Sequence, residues 1–381
     1  MIYSFIFFSV IFFSYSLAQA GVKMGNRKTL SISVPIFISC LIIILFLGTR
    51  YNVGRDFIGH WQDYKYLNEN DFGYLHRYQM EYGYLYTVKL AQFLPFGAQG
   101  IFLITSFITG ILFFRLYKTY PRFLPLGIVC FFLCGPYEFE INGIRQGIAI
   151  LCFLNACTYL NDSVSWKKSV LPYVLWILFG MLFHTSCAAM IAFFLLRFVN
   201  VDNHFVRVGL IIAPIIAYLL NITGVVTSLF DFSALEFENS NYNSYLSGDK
   251  ADYIKVASDG LNLGQFAIFF TSMIPLYYSR LICERFPNIK VFVLIYAIGL
   301  SLSSLFIGNM MVTRLAYYFT FSLLLIYPAF TYCFNKTREL TTNMLLYYIF
   351  WMWFIVQYIY TLPNFFKLHV WPGASVFGIG I

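Results

Sequence analysis

Twelve apolar runs, at about residues 2–20, 31–48, 98–114, 123–136, 144–160, 169–183, 185–196, 208–229, 261–280, 290–307, 313–334 and 342–361, decide what this chain can fold into. Only 11% of the residues carry charge, against roughly 25% in soluble domains. That is too few to cover the runs with a water-facing surface. The sequence therefore predicts an all-α polytopic membrane protein with about 10–12 transmembrane or re-entrant helices and no β core. Residues 1–381 read as a single integral membrane domain, with polar loops at 51–82 and 230–260.

The net charge of +8 does not point to nucleic acid, because the basic residues fall singly or in pairs between apolar runs and form no patch. Their distribution instead sets orientation. Loops carrying Lys23, Arg27 and Lys28; Arg115, Lys118 and Arg122; Lys167 and Lys168; Arg197 and Arg207; Arg280, Arg285 and Lys290; and Lys336 and Arg338 alternate onto one side. That side holds 15 basic and 4 acidic residues, and the other holds 10 basic and 13 acidic, a net of +11 against −3. The positive side is expected to be cytoplasmic. Arg55, Asp56, Glu81, Glu138, Glu140, Arg145, His184 and Arg314, together with both polar loops, then face outward.

Residues 1–20 end in an A-x-A-like pattern, but the basic residues follow the apolar run instead of preceding it, the reverse of a signal peptide. The run reads as an uncleaved first helix with its N-terminus outside. The eight cysteines, mostly within apolar stretches, read as buried thiols. The 30 residues 169–198 would extend ~45 Å as one helix, too long for one crossing and too short for two. Basic residues at both ends bring the chain back to the side it left, which predicts a tilted or re-entrant hairpin with His184 at its apex.

Charged and amide side chains at membrane depth are costly and usually mark a cavity, a partner or a pathway. Asn142-Gly143-Ile144-Arg145-Gln146 interrupts the apolar stretch 124–160 where a loop is expected to enter a helix. Arg145 offers a planar, permanent charge to phosphate oxygens, or else snorkels to the interface. His184-Thr185-Ser186 supplies a general base or a hydrogen-bond donor, or else a packing histidine. The carboxylates Asp56 and Glu81 can bind sugar hydroxyls or deprotonate one, and they and Arg55 can equally be ordinary loop residues. Most charges between Asp63 and Arg77 read as a solvated loop, and His60, Asp63 and His76 match no metal-ligand spacing. Arg314 is a second phosphate ligand or an arginine paired with Glu138 or Glu140. The Tyr84–Phe96 stretch is amphipathic and can lie along the interface.

Val53-Gly54-Arg55-Asp56, Glu81-Tyr82-Gly83-Tyr84, Asn142-Gly143-Ile144-Arg145-Gln146-Gly147-Ile148-Ala149, Phe183-His184-Thr185-Ser186 and Arg314-Leu315-Ala316-Tyr317-Tyr318-Phe319 together resemble the EpsG family. The family comprises membrane proteins of bacterial exopolysaccharide and O-antigen gene clusters, related in role to Wzy-type polymerases. The resemblance runs from about residue 40 to 330. Tyr82 stands where the family often has proline and Cys187 where it often has alanine, and neither exchange removes a charged group.

The resemblance implies a GT-C-like helical architecture and a glycosyltransferase that joins repeat oligosaccharides carried on undecaprenyl diphosphate. It would work at the outer face of the bacterial cytoplasmic membrane, without a metal or other cofactor. In that reading His184, Asp56 and Glu81 are the candidate catalytic residues. Arg55, Asn142, Arg145, Gln146, Ser186 and Arg314 bind substrate. The expected partners are the lipid-linked oligosaccharide, membrane lipid and, as a candidate, a chain-length regulator protein. Two rival readings are a membrane O-acyltransferase acting on polysaccharide and a transporter or flippase of the lipid-linked unit.

Overall fold

The computed structural model describes residues 2–25, 32–54, 56–69, 80–161, 165–226, 263–307, 309–334, 344–353 and 355–356. No β-strand occurs among them, and the protein is all-α. Four helices are each long and apolar enough to cross a bilayer, three bent pairs are so jointly, and four shorter apolar helices remain. Several of these helices can thus cross a membrane, as an all-α polytopic protein requires. The polar segment 230–260 lies outside the described residues.

Two compact units make up the chain: residues 1–194 with 354–381, and residues 195–353. The first contains α1 (Ile2–Met24), α2 (Val34–Gly48), α3 (Phe57–Glu69), α4 (Tyr82–Ala91), α5 (Gln99–Leu116), α6 (Leu124–Leu133), α7 (Pro136–Asn142), α8 (Ile144–Cys157) and α9 (Trp166–Met181). Its central helix is α5, which packs on α2, α4 and α8. Small side chains let it do so, as membrane helices associate by close packing. A Cβ at Gly110 would fall 2.5 Å from Ile44 Cγ1, and one at Gly100 2.9 Å from Ala91 Cβ. The first helix, α1, packs on α2 and α6, with the Ser39 hydroxyl donating to the Ser14 carbonyl at 2.8 Å.

The chain from α6 to α8 turns twice. Gly135 has φ +103°, open to glycine at little cost, and Pro136 cannot continue the preceding helix; α6 and α7 therefore meet at a 58° bend. Gly143 then separates α7 from α8. The polar cluster thus sits at a helix–helix junction, where the sequence suggested a loop entering a helix.

The hairpin is present in an unexpected form. After α9 and His184, residues Thr185–Phe198 form a 3-10 helix of 14 residues, far longer than such helices usually run. At ~2.0 Å per residue it reaches ~28 Å, where an α-helix would reach only ~21 Å. The tighter winding makes the returning arm longer than an α-helix of the same residue count. The arms run side by side where the Tyr173 hydroxyl donates to the Met190 carbonyl at 2.6 Å.

In the second unit, α10 (His204–Ile222), α11 (Leu263–Tyr277), α12 (Ser279–Arg285), α14 (Met310–Thr320), α15 (Leu323–Phe334) and α16 (Met344–Trp353) accompany the central α13 (Lys290–Leu305). Asp202 accepts from Arg207 Nη2 at 3.0 Å and pairs with Lys290, tying the start of α10 to the start of α13.

Candidate functional site

Glu81 is the N-cap of α4, and its carbonyl accepts the first helical hydrogen bond from Leu85. An acidic N-cap usually turns its carboxylate onto its own helix. This one makes no such bond. It crosses instead to two other segments. Oε1 accepts from His184 Nδ1 at 2.9 Å and from the Thr185 amide at 3.2 Å, while Oε2 accepts from Arg145 Nη1 at 2.7 Å. The Thr185 N–H opens the 3-10 helix and has no partner within it, so the carboxylate also satisfies a helix end.

Backbone geometry sets this crossing. The Gly83 amide donates to the Leu182 carbonyl at 2.7 Å, and a Cβ at Gly83 would stand 2.6 Å from that oxygen. Only glycine lets α4 approach the hairpin apex so closely. On the other flank, Gly54 has φ +95°, and a Cβ there would meet the Ile141 carbonyl at 2.4 Å and Asn142 Oδ1 at 3.3 Å. The segment entering α3 is thereby held against the end of α7.

Burial pushes the Glu81 carboxyl up, but the His184 hydrogen bond and the Arg145 charge outweigh it and hold the group below its ordinary 4.5. Glu81 is therefore an anion, and an anionic carboxylate only accepts hydrogen bonds. His184 Nδ1 must donate. In the neutral imidazole the proton sits on Nδ1, and the lone pair is left on Nε2. Arg145 spends one of its five N–H groups on Glu81 and keeps a side chain 34% exposed, so four N–H groups remain for a ligand. Its guanidinium carbon also lies 5.2 Å from the centre of the buried Tyr84 ring.

A cleft of about 710 Å³ opens beside this cluster, lined by Met80, Glu81, Tyr82, Leu178, Phe179, Met181, Leu182 and Thr185. Its walls are apolar except at the end formed by Glu81 and Thr185. Glu81 is the one charged residue in this lining, and Arg145 and His184 are reached through it.

Of the residues singled out in the sequence, the structure brings Glu81, Arg145 and His184 into direct contact. Asn142 donates from its side chain to the Glu138 carbonyl at 2.8 Å, Gln146 is buried within α8, and Ser186 follows Thr185 in the 3-10 helix. Asp56 is exposed at the entrance to α3, and its charge reaches His60 and Tyr84. Arg55 lies outside the described residues. Arg314 is exposed on α14 of the second unit, and Glu81, Arg145 and His184 lie in the first.

One sequence expectation needs correction. Asp63 is not a solvated loop residue: α3 carries it, with a side chain only 15% exposed, and Oδ2 accepts from the Tyr84 hydroxyl at 2.7 Å. His60, one turn earlier on α3, has Nδ1 2.6 Å from the same hydroxyl. The i,i+3 spacing of His60 and Asp63 was the available signal, hidden in a polar segment. Sequence reasoning also passed over Arg50, which is 3% exposed, sits 4.9 Å from the Phe102 ring centre and lies within electrostatic reach of Glu140. Glu140 Oε1 accepts from the Thr109 hydroxyl at 2.7 Å.

No curated protein and no solved structure shows a significant match to the chain. The profile of the EpsG family matches residues 33–370, and that span contains α2 to α16, including Glu81, Arg145 and His184. With nearly the whole membrane-embedded chain inside the match, this is a multi-pass membrane protein of the EpsG family, a family of polysaccharide biosynthesis.

Proposed function

We propose that the protein polymerises lipid-linked oligosaccharide repeat units by glycosyl transfer at the outer face of the bacterial cytoplasmic membrane. The observation that carries this reading is the single carboxylate, Glu81, shared between Arg145 and His184. It gives one residue a diphosphate-binding edge and its neighbour a defined proton acceptor. In the reaction the bond between the sugar C1 and the diphosphate oxygen breaks, and the acceptor hydroxyl oxygen bonds to C1. The hydroxyl proton passes to His184 Nε2, and the departing diphosphate keeps the electron pair. Arg145 stabilises the charge that develops on the leaving group. Glu81 holds the imidazole in the accepting tautomer and stabilises the imidazolium that forms. The apolar cleft next to these groups suits a donor whose diphosphate is attached to a lipid chain.

Arg145→Lys tests the arginine role, since it keeps the charge and loses the planar fork. The variant is expected to lose most polymer formation at equal protein level, and wild-type polymer length would sink the assignment. A second reading, acyl transfer to polysaccharide, draws on the same cleft, which would take an acyl chain. Full-length but unacylated polymer in a deletion strain would favour it.

A further inference from the structure

We infer that Tyr84 is a positioning residue for Arg145, and that His60 and Asp63 act through it. The inference rests on the reading above, in which Arg145 binds the lipid diphosphate. Tyr84 is 0% exposed, packed among Leu67, Leu85, Val88, Ile101 and Ile144. A buried tyrosine hydroxyl needs one hydrogen-bond partner. This one has two, Asp63 Oδ2 at 2.7 Å and His60 Nδ1 at 2.6 Å. A phenol has a single proton to give, and the Asp63 carboxylate takes it. The His60 Nδ1–H must then donate to the phenol oxygen. The ring is fixed in its plane by both bonds, and neither His60 nor Asp63 touches Arg145.

The face of that ring is 5.2 Å from the Arg145 guanidinium carbon, within cation–π range. A phenol hydrogen-bonded to a carboxylate is richer in electrons than a free one, so Asp63 strengthens the attraction it does not itself make. Arg145 is thus held on two sides, by Glu81 through an N–H and by Tyr84 through its face. A long side chain that is one-third exposed becomes a fixed fork, with its remaining N–H groups free for oxygen ligands. Simple core packing would need the tyrosine ring but not the part-buried carboxylate and buried imidazole bonded to its hydroxyl.

The test is the affinity of the purified full chain, in detergent, for undecaprenyl diphosphate. The proposal expects Tyr84→Phe, which keeps the ring but loses the hydroxyl through which His60 and Asp63 act, to weaken binding by a smaller factor than Tyr84→Leu. Tyr84→Leu should weaken binding roughly 2- to 30-fold, the range a cation–π contact corresponds to. In an Arg145→Ala background Tyr84→Leu should add nothing, since it acts through the absent arginine. If Tyr84→Leu fails to fold, Tyr84→Met removes the aromatic face at closer volume and is read in the same way. Wild-type affinity in the folded Tyr84 variant beside a weakened Arg145→Ala overturns the inference alone. The same factor of loss in both backgrounds also overturns it, because Tyr84 would then act as core. Wild-type affinity in Arg145→Ala removes the diphosphate assignment, and both readings fall.

Discussion

Glu81→Gln changes one atom's chemistry and almost none of the shape, so its effect can be worked from the contacts. Oε1 accepts two hydrogen bonds, from His184 and Thr185, and Oε2 accepts one from Arg145. An amide can put its oxygen toward only one of these sides. With the oxygen toward His184 and Thr185, its NH₂ group meets the Arg145 guanidinium donor to donor, and that contact is lost. With the oxygen toward Arg145, the NH₂ group faces Nδ1. The imidazole must then move its proton to Nε2, and the Thr185 amide loses its acceptor. Bonds to charged groups are worth about 1.5–3 kcal/mol. Because Arg145 is one-third exposed, screening puts the stability cost near the lower end, about 1.5 kcal/mol. In that second orientation the accepting tautomer is lost and with it general base catalysis, typically ~10²–10⁴ in rate, or about 3–5 kcal/mol; in the first, Arg145 loses the contact that fixes its fork. Activity must therefore fall further than stability does. Polymer formation in isolated membranes, measured beside thermal unfolding of the same variant, reads both. A Glu81→Gln protein that polymerises at the wild-type rate would refute the orienting role.

Two further predictions follow from geometry and charge. Gly83→Ala puts a Cβ 2.6 Å from a backbone oxygen that has little room to move. Overpacking of this kind costs about 1–3 kcal/mol, and activity should drop beyond that as Glu81 and His184 separate; unchanged polymer length and melting temperature would contradict the close-approach argument. For pH, the folded Glu81 carboxyl lies below its ordinary 4.5, so on acidification the unfolded chain takes up the proton first. Its stabilisation is complete above about pH 4.5 and fades as pH falls through the depressed folded value. The difference in unfolding temperature between wild type and Glu81→Gln should persist at mildly acidic pH and shrink only below 4.5; a difference already absent near neutral pH would contradict the ion pairing.

Scarcity of charge made the helical membrane fold legible, and loop charge alone predicted the return of the chain at His184. The cluster Asn142–Gln146 and His184 stood out because charge and amides are expensive in apolar surroundings, whereas Glu81, at the end of a polar loop, read equally well as an ordinary loop residue. What joins them was not legible. Glu81 precedes Arg145 by 64 residues and His184 by 103, and their meeting depends on Gly83 passing the Leu182 carbonyl. No periodicity reports such a crossing. The 3-10 winding of Thr185–Phe198 was equally hidden, since apolar side chains at these spacings suit either helix. His60 and Asp63 were lost for the opposite reason. In a segment already polar, two more polar residues raise no signal, and only the buried hydroxyl of Tyr84 gives them a role.

The most direct test of the shared-carboxylate site is the length profile of surface polysaccharide in a deletion strain complemented with wild type, Arg145→Ala or His184→Ala at matched protein level. Single repeat units in the deletion and in both variants, with long chains restored only by wild type, are the predicted result. Long chains in either variant would contradict the role given to that residue. Long chains in the deletion itself would contradict polymerisation as the function.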